Sequence, residues 1–166
     1  MAYLIGIPLL IILAILQTTL LADIHFFDGR PDVILLAVVG WSLAGGDRQA
    51  MIWGLIGGLL LDSFSGLPLG SSAISLILIA FLVSLYAGRV WEANLLMPLG
   101  IALLGSLIFH ALALGWLFAI GRSIHLQFAL TRVILPSTIL NVILILPTTQ
   151  LMLGLHRRLY PPEIEI

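Results

Sequence analysis

Gly57-Gly58-Leu59-Leu60-Leu61-Asp62-Ser63-Phe64-Ser65-Gly66-Leu67-Pro68-Leu69-Gly70 is the stretch that decides the fold. An apolar run ends on a carboxylate, and the chain then turns through serine, glycine and proline. On either side the sequence is almost wholly apolar. A carboxylate at membrane depth is costly, so Asp62 must lie at an interface, in a polar cavity or against a partner.

The 166 residues are 61% hydrophobic and only 9% charged, with a mean hydropathy of +1.20. A soluble domain carries about 25% charged residues. This chain cannot cover a water-facing surface and reads as one integral membrane domain over 1–166. The net charge of -1 gives no reason to expect nucleic acid. The absence of cysteine excludes disulfides, thiolate metal sites and a cysteine nucleophile. Met1 to Ala22 is uncharged. It lacks the basic start of a signal peptide and exceeds its apolar length of about 7–15 residues, so it reads as a retained transmembrane helix.

Six apolar runs follow one another: Tyr3–Ala22, Asp32–Gly46, Gln49–Leu61, Gly70–Gly88, Asn94–Gly121 and Val133–Leu155. A spanning helix needs about 20 residues, so the second and third are short. Asp47 and Arg48 occupy the turn between them. A re-entrant hairpin would bury that pair in hydrocarbon, whereas a spanning hairpin delivers it to water. Trp41 and Trp53 flank the turn as interfacial tryptophans do. The expectation is an all-α integral membrane protein with six transmembrane helices. Both termini then share a side with Arg48, Arg89, Arg157 and Arg158, against Arg30, Arg122 and Arg132 opposite. Four against three, under the positive-inside rule, puts both termini in the cytoplasm. Tyr3, Tyr86, Trp91 and Tyr160 fall near the same edge.

Asp62 then closes the outer end of the third helix. Gly54 and Gly58 behind it form a small-residue stripe that lets two helix backbones approach. Gly66 and Gly70 permit a tight turn. Ser71 and Ser72 begin the fourth helix, where free amides can face the carboxylate. Asp62 either satisfies those amides and fixes the loop, or acts directly at a partner interface. His110 lies about 16 Å from the end of its helix and Asn141 about 12 Å from the same face. Their matching depths predict a His110–Asn141 hydrogen bond that clamps the last two helices, with Ser106 as an alternative partner for His110. A proton relay through His110 is disfavoured, since no acidic neighbour is expected at that depth. Asp23, His25 and Asp28 match no metal-ligand spacing and read as a solvated loop. Asp32 after Pro31 starts the second helix and complements its dipole. Pro136 and Pro147 predict kinks in the last helix, patched by Ser137, Thr138, Thr148 and Thr149. No nucleophile–base constellation and no phosphate loop is present, so no enzyme and no cofactor is expected.

Two blocks make the chain resemble the MreD family of bacterial rod-shape-determining membrane proteins. One is Arg30-Pro31-Asp32-Val33-Ile34-Leu35-Leu36, running on to Trp41. The other is Gly54-x-x-x-Gly58-x-x-x-Asp62-x-x-Ser65-Gly66-x-x-x-Gly70. The chain departs from the family in a short, nearly uncharged amino terminus and a Pro-Pro-Glu tail. The resemblance implies a non-catalytic scaffold subunit of the cell-wall elongation machinery in the bacterial cytoplasmic membrane. It implies binding to MreC and, through it, association with MreB, RodA and a class B penicillin-binding transpeptidase. It also implies a fold similar to the substrate-binding subunits of energy-coupling-factor transporters. Pro31, Asp32, Gly54, Gly58, Asp62, Ser65, Gly66 and Gly70 carry over as motif positions and candidates for a partner interface. The rival reading is a small-molecule-binding subunit of such a transporter, for which Asp62, His110, Asn141, Trp116 and Gln127 are the available polar and aromatic groups.

Overall fold

The computed structural model describes residues 2–19, 21, 28–45, 47–90 and 96–161. They form six helical rods: α1 (Ala2–Thr18), α2 (Val33–Leu43), α3 (Asp47–Phe64), α4 (Ser71–Val90), α5 (Leu96–Ala119) and α6 (Leu126–Leu159). Two of them, α5 and α6, are long and apolar enough to cross a membrane by length and composition.

The shortest rod is the centre of the molecule. α2 has 11 residues, of which ten, from Ile34 to Leu43, are buried. It packs against each of the other five helices. Its sequence is apolar all round, which is the pattern of a helix with no exposed face. At 1.5 Å per residue α2 is about 16 Å long, half the hydrocarbon thickness of a bilayer. In its amino-terminal lead Gly29 and Pro31 are buried among the other helices, while Asp28 and Arg30 stay exposed.

Contacts fix the directions. Gly6 meets Trp53 and Leu10 meets Gly57, so α1 and α3 run parallel. Ile34 meets Gly57 while Trp41 stacks on Trp53, so α2 runs antiparallel to α3. Gly58 meets Ala73 and Gly54 meets Leu76, so α4 reverses again. Asp32 meets Asn141 and Gly40 meets Met152, so α2 and α6 run parallel. Loops consequently gather at two ends. One end carries the α2–α3 turn and the close of α6, joined by a 2.7 Å hydrogen bond from Gln49 to the Tyr160 hydroxyl. The other carries residues 28–32, the α3–α4 turn and the α5–α6 turn, where Gly66 neighbours the Arg122 guanidinium and Asp28 N donates to Arg132 O at 3.1 Å.

Three expectations need correction. Trp41 and Trp53 are not interfacial: both are buried and stack at 4.4 Å with their planes 16° apart, and His156 meets Trp41 edge-on at 5.3 Å. Two large rings on facing turns fill the core below the hairpin, and an aromatic pair gains about 0.5–1.5 kcal/mol beyond its buried area. Trp91 and the side chains of Tyr3 and Tyr86 lie outside the described residues, as do Asp23 and His25. The last helix starts at Leu126, not Val133, because a π-helical stretch, Ala129–Ile134, carries it through Arg132. The hydroxyls also patch only part of what proline disrupts. Thr148 and Thr149 donate to Leu144 O and Leu146 O beside Pro147. Pro136, however, has no N–H for the carbonyl four residues back, and that carbonyl, Arg132 O, accepts from the first loop at Asp28.

Candidate functional site

The quoted stretch folds back on its own carboxylate. Asp62 ends up 3% exposed. Its Oδ2 accepts from Gly70 N at 2.7 Å and its Oδ1 from the Ser71 hydroxyl at 3.1 Å, while Ser72 N lies 3.1 Å from both oxygens. A helix leaves its first amides unpaired, and here a side chain from the preceding helix satisfies them. Gly70 has φ +97°, a left-handed conformation that glycine adopts without strain, and it lets the chain turn into α4 under the carboxylate. The loop-fixing use of Asp62 is the one observed.

Gly58 is where α3 and α4 come closest. A Cβ there would overlap the Ala73 backbone and stand 2.7 Å from Ser72 C; one at Gly54 would stand 3.0 Å from Leu76 C. The small-residue stripe is thus filled by the chain's own α4. Gly54, Gly58 and Asp62, named as interface candidates, are buried against the chain's own α4. Ser65 and Gly66 are exposed at the turn, and Pro31 is buried beside the second cluster.

That second cluster joins α2, α5 and α6. Asn141, fully buried, donates from Nδ2 to Asp32 Oδ2 at 2.9 Å and to Ser106 Oγ at 3.0 Å, and its Oδ1 accepts from Asp32 N at 2.8 Å. Ser106 also pairs with the Thr138 hydroxyl at 3.2 Å, and Ser137 Oγ accepts from Arg30 N at 2.9 Å. His110 Nδ1 donates to Ser106 O at 2.8 Å, since a carbonyl can only accept, and Nε2 stands 3.6 Å from Asp32 Oδ2. His110 and Asn141 are not bonded to each other. They meet at one depth through Asp32 and Ser106, because the Asp32 carboxylate reaches the space between them. The acidic neighbour thought absent at that depth is therefore Asp32. Nδ1 is taken up by the Ser106 carbonyl, so Nε2 is the ring nitrogen that faces the Asp32 carboxylate.

The polar groups named for a transported molecule do not converge. Asp62 caps α4, His110 and Asn141 belong to the buried cluster, and Gln127 is exposed on the first turn of α6. Trp116 borders a shallow crevice with Ser71, Ser75 and Ala113. Two features escaped sequence reading. Asp32 bonds across 109 positions, and the only signal for it was an acid placed before an unusually short helix. A pocket of ≈ 310 Å³ also opens between the ends of α1, α2, α3 and α4, and no local motif marks it.

An apolar helical bundle in which Asp62 caps the start of the next helix and Asp32 bonds across to the last one has the make-up of a helical membrane protein. The chain belongs to the MreD family: the family described as rod shape-determining protein MreD matches residues 1–159. Its role is accordingly in rod-shape determination. No curated protein and no solved structure gives a significant match.

Proposed function

We propose that this chain is a non-catalytic scaffold subunit of the cell-wall elongation complex. It crosses the cytoplasmic membrane six times, with both termini in the cytoplasm, and holds the single transmembrane helix of MreC. The match to the MreD family over residues 1–159 carries this reading. The six alternating helix directions and the gathering of loops at two ends are what such a topology requires.

The motif glycines are occupied by α4, so a partner helix needs another face. α5 supplies it. Gly100, Leu104, Leu107, Ala111 and Gly115 recur at helical spacing, and all five are exposed. A Cβ at Gly100 or Gly115 would meet nothing within 4 Å. Close backbone approach over small residues is how helices associate in lipid, where apolar burial gives no drive. MreB, RodA and the class B transpeptidase join through MreC in this reading. The test is co-purification with MreC from membranes. Gly100→Leu/Gly115→Leu should lose MreC while melting within a few degrees of wild type; undiminished recovery of MreC contradicts the assignment.

A further inference from the structure

The pocket of ≈ 310 Å³ at the loop-rich end has walls that carry both charges. Arg30 and Asp32 line it together, with Gln17, Phe64, Ser65 and Phe109. Its size lies at the lower end of small-ligand sites, about 300–1,000 Å³.

Three wall groups present unused hydrogen-bonding capacity among the described residues. Asp32 gives its Oδ2 to Asn141, and its Oδ1 accepts from nothing. Gln17 Oε1 accepts from Ile34 N at 3.2 Å, which leaves the Gln17 amide N–H groups without a partner. Arg30 is held by its backbone N–H on Ser137, and its guanidinium forms no ion pair. Asp32, its side chain 14% exposed and facing the pocket with only the His110 ring at 3.6 Å beside it, suits a cation, and a free guanidinium is the natural seat of a phosphate. Phe64, 60% exposed beside the pocket, gives the mouth an apolar lip.

We propose that this pocket binds a phosphoethanolamine group, with the phosphate on Arg30 and the Gln17 amide and the primary ammonium on Asp32 Oδ1. The assignment stands apart from partner docking, since α5 contributes only Phe109 to the wall, from the opposite side of the exposed α5 stripe. A phospholipid headgroup and a soluble phosphoethanolamine compound share this chemistry. Phosphatidylcholine does not, because its quaternary ammonium has no N–H to give the carboxylate.

The purified full-length chain is equilibrated with equimolar phosphatidylethanolamine, phosphatidylcholine and phosphatidylglycerol, and bound lipid is read by native mass spectrometry. Soluble phosphoethanolamine is titrated separately by calorimetry. Retention of phosphatidylethanolamine about tenfold above the other two supports the proposal and assigns the source to a lipid. Saturable binding of soluble phosphoethanolamine without lipid preference supports it and assigns the source to a soluble compound. Arg30→Gln, whose side chain supports no internal bond, should lower either signal about tenfold with an unchanged melting temperature. Equal retention of the three lipids with no binding of the soluble compound overturns the proposal, as does preference for phosphatidylglycerol, or a signal that Arg30→Gln leaves intact.

Discussion

At Asp62 a single carboxylate does the work of a helix cap supplied from outside the helix. Substituting Asp62→Ala strands Gly70 N and Ser72 N in a buried site, and the expected loss is about 2–4 kcal/mol, from the cap and the unpaired donors together. Thermal denaturation in detergent measures it, and a melting temperature equal to wild type contradicts the capping role. Asp32 and Asn141 bond each other twice, so their losses should not add. Asn141→Leu and Asp32→Leu, alone and combined, should show a coupling of about 1–3 kcal/mol in a double-mutant cycle; additive losses contradict the pairing. Asp62 was legible because its partners lie eight to ten residues away, next to a glycine that marks the turn. Asp32 was legible only as a helix start. Its bonds to residues 109 positions on depend on how deep α2 sits, and depth comes from packing, which local sequence does not encode.

Helices α3 and α4 show how an element's character follows from where its small residues fall. Gly58→Ala forces a methyl into the Ala73 backbone, which cannot yield without parting the helices. Gly54→Ala asks only for a few tenths of an ångström. Gly58→Ala should therefore cost about 1–3 kcal/mol, and Gly54→Ala distinctly less. Chemical or thermal unfolding of the two variants decides the order, and equal or reversed losses contradict the packing described. Six apolar runs in the sequence became six helices, because long uncharged stretches admit little else. What they did with their edges was less legible. Arg132 read as loop, yet α6 runs through it, since the π-helical stretch and the Asp28–Arg132 bond carry the helix past a charge and a proline. Trp41 and Trp53 read as interfacial by composition. They are core, since the short α2 brings one against the other.

For the whole molecule, the two ends make the topology testable. Because the chain has no cysteine, single substitutions are clean probes. In cells treated with an impermeant thiol reagent, Arg122→Cys should label from outside and Arg48→Cys only after lysis; the reverse pattern inverts the orientation. The overall plan of apolar rods with short turns was legible from hydropathy. The use of the motif was not: a glycine stripe reads alike whether it faces a partner or a neighbouring helix of the same chain. The contacts of Gly58 with Ala73 and of Gly54 with Leu76 assign it to the fold, so a partner helix needs another face, and α5 is the one proposed.

Site-directed cross-linking in membranes tests that division of labour most directly. Gly100→Cys, Leu104→Cys, Ala111→Cys and Gly115→Cys, each paired with cysteines along the MreC transmembrane helix, should form disulfides at helical spacing, while Ile12→Cys on α1 and Ile143→Cys on α6 should form none. Cross-links confined to α1 or α6, with α5 silent, would contradict the account.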